Sequence, residues 1–264
     1  KSRMKKAGRL AAAVFAAMLL VTGCGAPAEK KAVETTPEQS SKIEQKEEAK
    51  NLKDAFKKDF KVGVAINPYQ LKDEETKKII LENFNSITME NGMKPEAILD
   101  QRASENSKDG MPAINEENLA ECLSLAKDNG LVLRGHCLVW HNQTPEWFFC
   151  EKYDAGNAKV NKETMKKRME SYIKKVLSFC QEKYPGVVYA WDVVNEACDD
   201  GGGYRTSSLW YEIYGDESYI EDAFTFARKY ADKDVKLFLN DYNEYAAAKR
   251  DRIYQVVKDL YDKG

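Results

Sequence analysis

The sequence predicts an α/β fold, because strand-like and helix-like segments alternate along residues 61–264. The five strand–helix units fit either an open doubly wound sheet or part of an eight-stranded barrel. Two observations favour the barrel. No glycine-rich phosphate loop of the G-x-G-x-x-G or P-loop kind follows the first strand. Polar and aromatic residues instead recur at the strand ends, as expected when all loops converge on one face.

The predicted strands are short apolar runs that end in polar residues. The clearest is residues 187–196, VVYAWDVVNE, which follows Pro185-Gly186 and precedes the glycine-rich residues 199–203. A near-continuous apolar run of this length is typical of a buried parallel strand. The other strands are predicted over residues 61–66, 84–88, 131–136 (running into 137–140) and 236–239.

The predicted helices between the strands follow from apolar spacing and capping residues. Asn115 can cap a helix over residues 116–128, which Asn129-Gly130 would close. Another helix has one apolar face with lysines and glutamates opposite. That face consists of Met165, Met169, Tyr172, Ile173, Val176 and Leu177. Further helices are predicted over residues 74–83, around 219–227 and around 253–260.

The N-terminus has the layout of a secretory signal. Five basic residues within residues 1–9 precede an apolar stretch over residues 10–21, which is too short to span a membrane as a mature helix. The stretch ends in Val21-Thr22-Gly23-Cys24, which resembles a bacterial lipobox. The resemblance implies a signal peptide over residues 1–23, cleavage before Cys24, and a lipid on its thiol that anchors an extracytoplasmic protein to the membrane. The alternative is an ordinary secretory signal with an incidental cysteine.

Residues 24–50 are predicted to form a disordered tether between this lipid anchor and a folded domain over residues 51–264. The tether has no aromatic residue and few large aliphatic residues, so it cannot bury enough surface to fold. The formal net charge of the chain is −2, whereas a nucleic-acid-binding protein normally carries a strong basic excess. We therefore expect no nucleic-acid partner.

Neither the cysteines nor the histidines predict a metal site. Five cysteines remain when Cys24 is set aside, an odd number without metal-type spacing, and we expect most of them to be buried apolar residues. The only two histidines, His136 and His141, do not lie on a helix with metal-ligand spacing. No metal and no cofactor are therefore expected.

The side chains at the predicted strand ends suit a carbohydrate cleft. Amides, carboxylates, imidazole and lysine can bind many hydroxyls, and tryptophan offers a flat face to a sugar ring. The set consists of Glu90, Asn91, Lys94, His136, Trp140, His141, Gln143, Asn195, Glu196, Asn240 and Tyr242. Glu196 is the first candidate for a catalytic group, because it ends the clearest strand. The alternative is a carboxylate that merely faces water.

Four segments in this set carry a resemblance to a known family. They are residues 88–94, TMENGMK; 134–145, RGHCLVWHNQTP; 191–196, WDVVNE; and 240–243, NDYN. In this order, over about residues 52–264, they resemble family 10 glycoside hydrolases, the endo-β-1,4-xylanases. The resemblance implies a (β/α)8 TIM barrel, of which about five βα units are present here. It also implies retaining hydrolysis of internal β-1,4-xylosidic bonds, with xylan or xylo-oligosaccharides as the partner.

The resemblance also implies roles for individual residues. Glu196 matches the acid/base, and Asn195 matches a residue that contacts the 2-hydroxyl of the reacting sugar. Tyr242 matches a residue near the leaving-group side. The glycone subsites are matched by Glu90, Asn91, Lys94, His136, Trp140 and Gln143. Some of these residues have structural alternatives. Trp191 and Asp192 can instead pack or form hydrogen bonds within the barrel. His141 can support the substrate-contacting residues from behind, and Lys94 can be a solvated surface residue.

The sequence departs from the family in one respect. Retaining hydrolysis needs two carboxylates about 5–5.5 Å apart, an acid/base and a nucleophile. The family nucleophile is a Glu in a Thr-Glu-Leu-Asp-like context on the seventh strand, and no such segment exists among the 264 residues. We therefore expect the sequence to be part of a longer enzyme, and this chain alone to be inactive. Its fifth strand would then expose an open edge that invites aggregation.

Two other functions remain possible on the sequence. Another retaining β-1,4-glycanase, a cellulase, would favour glucan, and relative rates on xylan and carboxymethylcellulose would separate the two. A lipid-anchored, non-catalytic carbohydrate-binding protein would share the signal, the tether and the sugar-binding side chains. A solute-binding protein of that kind predicts two hinged α/β lobes, and mere binding gives the carboxylate of Glu196 no necessary role.

Overall fold

A computed structural model describes residues 50–264 of the chain. The predicted signal peptide over residues 1–23, the predicted lipidation site Cys24 and the predicted tether up to residue 49 lie outside the described residues. Among the helices that are described, none has the length and apolar character needed to cross a membrane.

The strands of the described residues form one parallel sheet and one short hairpin. They are β1 (Gly63–Ile66), β2 (Ser86–Met89), β3 (Leu99–Asp100), β4 (Ala113–Ile114), β5 (Val132–Trp140), β6 (Val188–Asn195) and β7 (Lys236–Asn240). The parallel sheet has the order β1-β2-β5-β6-β7, whereas β3 and β4 pair antiparallel. The sheet order therefore follows the chain without the reversal that marks a doubly wound sheet. This topology is that of a (β/α)8 barrel, of which five strands are present in the described residues.

Helices connect and cover these strands. They are α1 (Leu52–Ala55), α2 (Glu74–Asn83), α3 (Pro95–Ile98), α4 (Gln101–Glu105), α5 (Glu116–Asp128), α6 (Lys162–Lys183), α7 (Leu209–Tyr214), α8 (Ser218–Tyr230) and α9 (Ala247–Asp262). Short 3-10 helices span Pro68–Leu71, Glu146–Phe149 and Glu151–Tyr153.

Local sequence signals account for the two helices whose bounds match the prediction, α2 and α5. The carboxylate of Asp73 accepts a hydrogen bond from the Thr76 amide, and Asn115 caps α5 in the same way through the Asn118 amide. Each cap satisfies a backbone donor that the first turn leaves unpaired. The hairpin β3–β4 and the short helix α7 were not predicted, because segments of two to six residues carry too little periodicity.

The predicted apolar face of α6 lies in the core. Met165, Met169, Ile173 and Val176 have no exposed surface. Burying each such side chain contributes roughly 1.5–3 kcal/mol relative to leaving it in water. Helix α6 contacts α5 and α8, and its apolar face belongs to the same buried core as the residues of β5 and β6.

Trp191 and Gly135 fit against each other where β5 and β6 pair. Trp191 is buried, and a Cβ built on Gly135 would lie 2.3 Å from its ring, which is closer than real atoms approach. Only glycine therefore fits at position 135. The packing alternative given for Trp191 is confirmed.

The outer strand β7 of the described sheet differs from its neighbour β6. Strand β6 is almost entirely buried, whereas the residues of β7 are exposed or half-buried. Phe238 on β7 is 37% exposed and its ring lies 4.7 Å from the Arg134 guanidinium. Within the described residues, β7 pairs on one side only, which matches the expected open edge.

Candidate active site

Three strands end side by side at one edge of the sheet. Trp140, the last residue of β5, pairs with Asn195 at the end of β6, and Asn195 pairs in turn with Asn240 at the end of β7. Neighbouring strands lie about 4.8 Å apart, so the side chains that follow these residues meet in a small volume. The residues predicted to lie at the ends of these strands are thus close together at this edge.

Glu196 follows β6 with an unusual backbone. Its φ angle is +55°, in the left-handed region, which costs a residue with a side chain about 1–2 kcal/mol. Two hydrogen bonds hold it there: its amide donates to the Asn240 carbonyl at 2.8 Å, and its carbonyl accepts from Arg205 Nε at 2.9 Å. Such strain persists only where surrounding contacts enforce it, and it is concentrated at active sites.

The carboxylate of Glu196 is held by Trp140. The indole Nε1–H donates to Oε2 of Glu196 at 2.9 Å, and the Glu196 side chain keeps 23% of its surface exposed. The carbonyl of Trp140 accepts hydrogen bonds from Thr144 Oγ1 at 2.7 Å and from Trp210 Nε1 at 3.1 Å. Trp140 is 8% exposed, so it contributes an oriented N–H donor more than an open platform.

Asp192 holds His136 in place. Oδ2 of Asp192 lies 2.8 Å from His136 Nδ1, and Oδ1 accepts from Arg134 Nε at 2.9 Å. Asp192 is buried; the Arg134 guanidinium compensates its charge, and His136 contributes a hydrogen bond. A carboxylate at Nδ1 keeps the proton on that nitrogen and leaves Nε2 for another ligand. The hydrogen-bonding alternative given for Asp192 is confirmed.

Lys94 lies inside the polar cluster. Its Nζ donates to Gln143 Oε1 at 2.8 Å and to Asn91 Oδ1 at 3.1 Å, and it stands 5.1 Å from the centre of a Trp140 ring. Gln143 also has a positive φ of 46° and donates from Nε2 to Glu96 at 2.6 Å. These hydrogen bonds hold the half-buried Lys94 in place, so it is not merely a solvated surface residue.

Glu90 lies at the end of the second strand, β2, in the same polar region. It is exposed, and its carboxylate accepts a hydrogen bond from Asn67, which follows β1. A cavity of about 550 Å³ runs along the inner face of the sheet and is lined by Glu90, Lys94 and His136 among others. Its polar lining offers donors and acceptors to hydroxyl groups.

His141 lies behind Glu196. Its Nε2 is 3.9 Å from Glu196 Oε2, and its buried Nδ1 has no hydrogen-bond partner among the described residues. Burial lowers the pKa of His141, and the nearby Arg205 guanidinium lowers it further. The ring is therefore neutral at neutral pH. Its position next to Glu196 agrees with the expectation that His141 supports the substrate-contacting residues.

The remaining predicted residues extend the cluster across β6 and β7. The side-chain amides of Asn240 and Asn195 lie within hydrogen-bonding distance, 2.8 Å, and Asn195 is buried. Tyr242 is 39% exposed, and its hydroxyl accepts a hydrogen bond of 3.3 Å from Arg205. No group of three or more His, Cys, Asp or Glu residues within residues 50–264 is arranged to hold a metal ion.

Several residues of this region were not singled out from the sequence. Arg134 and Arg205 orient other site residues, and Asp241 and Lys249 form a buried ion pair beneath Tyr242. Asp241 lies inside the quoted segment 240–243, which is the only sequence signal for it. Lys249 follows the small residues Ala246-Ala247-Ala248, a run that permits close packing of the helix start.

Known proteins are similar to this chain in sequence. The profile of the family described as Glycosyl hydrolase family 10 matches residues 51–264. A putative endo-1,4-beta-xylanase of Caldicellulosiruptor saccharolyticus is 52% identical over 65% of this chain and 55% of that protein. Endo-1,4-beta-xylanase B of Butyrivibrio fibrisolvens is 46% identical over 81% of this chain and 34% of that protein. The chain thus spans between a third and just over half of the length of these two relatives.

A solved structure shows the same fold. The CBM22-1–GH10 modules of a Clostridium thermocellum endo-1,4-beta-D-xylanase, complexed with xylohexaose, match with a TM-score of 0.75 and 41% identity. The match covers 81% of this chain and 43% of that chain.

Proposed function

Because the chain belongs to glycosyl hydrolase family 10, we propose that it serves the retaining hydrolysis of internal β-1,4 bonds in xylan, with Glu196 as the general acid/base. The observation that carries this proposal is the Glu196 carboxylate at the end of β6. One of its oxygens is held by the Trp140 indole, and its backbone is held in a strained conformation by Asn240 and Arg205.

The chemistry assigned to Glu196 follows from the retaining mechanism. Its protonated carboxyl donates a proton to the glycosidic oxygen as a second carboxylate attacks the anomeric carbon, and the leaving chain departs as an alcohol. The same group, now a carboxylate, takes a proton from the water that hydrolyses the glycosyl-enzyme intermediate. No segment of the 264 residues has the sequence context implied for the nucleophile, so only the acid/base half of the pair is assigned to this chain.

The substrate is proposed from the polar cluster and from the relatives. The glycone side is assigned to Glu90, Asn91, Lys94, His136, Trp140 and Gln143. Asn195 is assigned to the 2-hydroxyl of the reacting sugar, and Tyr242 to the leaving-group side. The related Clostridium thermocellum modules were solved with xylohexaose, which supports a xylan chain as the ligand.

Calorimetric titration of the chain with xylohexaose and cellohexaose tests the substrate. We expect binding of xylohexaose, and weaker binding to a Lys94→Ala variant, because Lys94 supplies donors in the middle of the cluster. Lys258→Ala is the control, since Lys258 is exposed on α9 and pairs only with Asp262 within the described residues. Tighter binding of cellohexaose would favour the cellulase alternative. An equal loss of xylohexaose affinity in the two variants would contradict the assigned binding site.

We further propose that Cys24 carries a lipid and holds the domain outside the cytoplasm, at the membrane surface. The proposal is supported by the basic and apolar segments before Cys24. Mass spectrometry of the membrane-extracted protein should show a diacylglyceryl adduct on Cys24. The Cys24→Ser variant should appear in the soluble fraction. An unmodified Cys24 in a protein cleaved at another site would contradict this proposal.

A further inference from the structure

Lys249 is a fully buried cation next to the candidate active site. It is the third residue of α9, and its side chain has no exposed surface. Its Nζ lies 3.0 Å from Asp241 Oδ1 and 2.9 Å from Asp200 Oδ1. It also stands 3.5 Å from the centre of the Tyr242 ring. A buried ammonium group is tolerated only with such partners, so the position is tightly determined.

Protonation of Lys249 is maintained by these partners. Burial alone lowers the pKa of Lys249, but the hydrogen bonds to Asp200 and Asp241 outweigh it, so that its pKa is raised. The ammonium group therefore stays charged throughout the neutral range. It lies between two loops, one following Glu196 and one following β7.

Asp241 connects Lys249 to the loop after Glu196 through a hydrogen bond. Its Oδ2 accepts a hydrogen bond of 3.1 Å from the Cys198 amide, two residues beyond Glu196. Its Oδ1 accepts one of 2.9 Å from the Tyr242 amide. Asp241 is 2% exposed, so without Lys249 its carboxylate would be buried without a countercharge.

The start of α9 also packs directly on the loop. Gly202 has a φ of +85°, and a Cβ there would lie 2.8 Å from the Ala248 carbonyl oxygen. Arg252, one turn further along α9, donates to the Gly202 carbonyl at 3.0 Å. The loop can therefore approach the helix this closely only with glycine at position 202.

Arg205 closes the same network at Glu196. Beyond its bond to the Glu196 carbonyl, it donates to the Cys198 carbonyl at 3.1 Å and to the Tyr242 hydroxyl. Lys249 and Arg205 thus contact Tyr242 from its ring and from its hydroxyl. The contacts converge on the acid/base and on the residue assigned to the leaving-group side.

We infer that Lys249 is a positioning residue that holds Glu196 and Tyr242 in their relative places across the bond to be cleaved. It acts through Asp241 and Asp200 and does not touch the reacting atoms. The inference rests on the proposed function for the roles of Glu196 and Tyr242, whereas the link from Lys249 to their backbone is independent of any substrate.

Amide hydrogen exchange measured by NMR tests the link without a sugar. In Lys249→Met, we expect the amides of Glu196 and Cys198 to exchange at least tenfold faster, with little change along β6. Lys258→Met is the matched control, an exposed lysine on the same helix, and should leave all these amides unchanged. Faster exchange throughout β6 in Lys249→Met would indicate general destabilisation, and a second variant resolves that case.

The second variant, Asp241→Asn with Lys249→Met, removes the buried pair without leaving an unpaired buried charge, because the Asp200 side chain that remains is 61% exposed. We expect it to recover the melting temperature while the Glu196 amide still exchanges faster than in the native chain. Native exchange at Glu196 in this double variant would overturn the positioning role.

Xylotetraose titration then separates the two proposals. If the native chain binds the sugar, Lys249→Met should weaken binding three- to tenfold and alter the Tyr242 ring signals. Absence of binding to the native chain would contradict the proposed function and leave the exchange result standing. Native affinity in Lys249→Met together with native exchange would overturn the inference alone.

Discussion

The indole nitrogen of Trp140 lies 2.9 Å from Oε2 of Glu196, so that the end of β5 supplies a donor to the carboxylate at the end of β6. Because the two residues belong to neighbouring strands of a parallel sheet, the strand register sets their distance. The carboxylate keeps one oxygen free of this bond. That division suits a group that must hold its orientation and still exchange a proton.

Replacing Trp140 by Phe should weaken both stability and xylo-oligosaccharide binding. The ring remains while the donor to Glu196 is lost, and a hydrogen bond to a charged group contributes about 1.5–3 kcal/mol. Since the Glu196 side chain is partly exposed, we expect about 1–2 kcal/mol in urea denaturation. Trp147→Phe is the control, because its indole donates to no group in the described part of the chain. Equal losses in both variants would contradict the assigned role.

The 264-residue chain should bind xylohexaose without cleaving it. Hydrolysis with retention requires a nucleophile as well as an acid/base, and no segment of the sequence matches the context implied for the nucleophile. Chromatography of the sugar after prolonged incubation should show intact xylohexaose. Turnover that disappears on Glu196→Gln would show that a carboxylate of this chain completes the pair.

The proton of His136 should stay on Nδ1. The buried Asp192 carboxylate accepts from that nitrogen, and transfer of the proton to Nε2 would leave the carboxylate facing a lone pair. Long-range nitrogen–proton NMR spectra of the native chain should show the neutral ring as the tautomer with its proton on Nδ1. In Asp192→Ala, we expect both ring tautomers and a loss of about 1.5–3 kcal/mol in unfolding free energy, since the partly exposed Arg134 loses its hydrogen bonds to a charged group. A native chain with the proton on Nε2 would rule out this geometry.

Stability should fall in acid partly because of His141. Burial lowers its pKa in the folded state, whereas in the unfolded chain the value returns to about 6.5. The unfolded state then binds the proton first, so the folded state loses stability as the pH falls below about 6.5. Urea denaturation at pH 7.5 and pH 5.0 should show a smaller pH dependence in His141→Gln than in the native chain. The same change in unfolding free energy between the two pH values in both proteins would exclude a contribution of His141 to the acid sensitivity.

The five cysteines of the described residues should be inert in the folded protein. All are buried with free thiols. Burial raises the pKa of Cys122 and Cys198 to about 11 and that of Cys180 to about 12, so little thiolate forms near neutrality. Iodoacetamide at pH 8, followed by peptide mass spectrometry, should label none of them before guanidinium is added. Rapid labelling of Cys198 in the native chain would show that the loop after Glu196 opens.

The sequence could predict what depends on local pattern. Glu196 could be predicted as a site residue because a long apolar run ends in Asn-Glu. Helix α5 could be predicted because Asn115 caps an amphipathic segment. The burial of Lys249 could not be predicted from the sequence, since a lysine in such a helix is usually solvated. Its environment depends on Asp241 and on the loop at Asp200, which the chain brings close only when folded. The left-handed backbone of Glu196 is equally a product of long-range contacts, because its residue type does not signal it.

The strand order of the parallel sheet has a consequence for synthesis. Because β1, β2, β5, β6 and β7 lie side by side in chain order, each strand can dock on its predecessor as it leaves the ribosome. Trp140 is then in place before Glu196 emerges, and Asn240 and Lys249 follow Glu196 and fix the strained residue. Ribosome-bound chains that end before residue 240 should therefore hold Glu196 in an extended conformation, which becomes left-handed only when the next strand arrives.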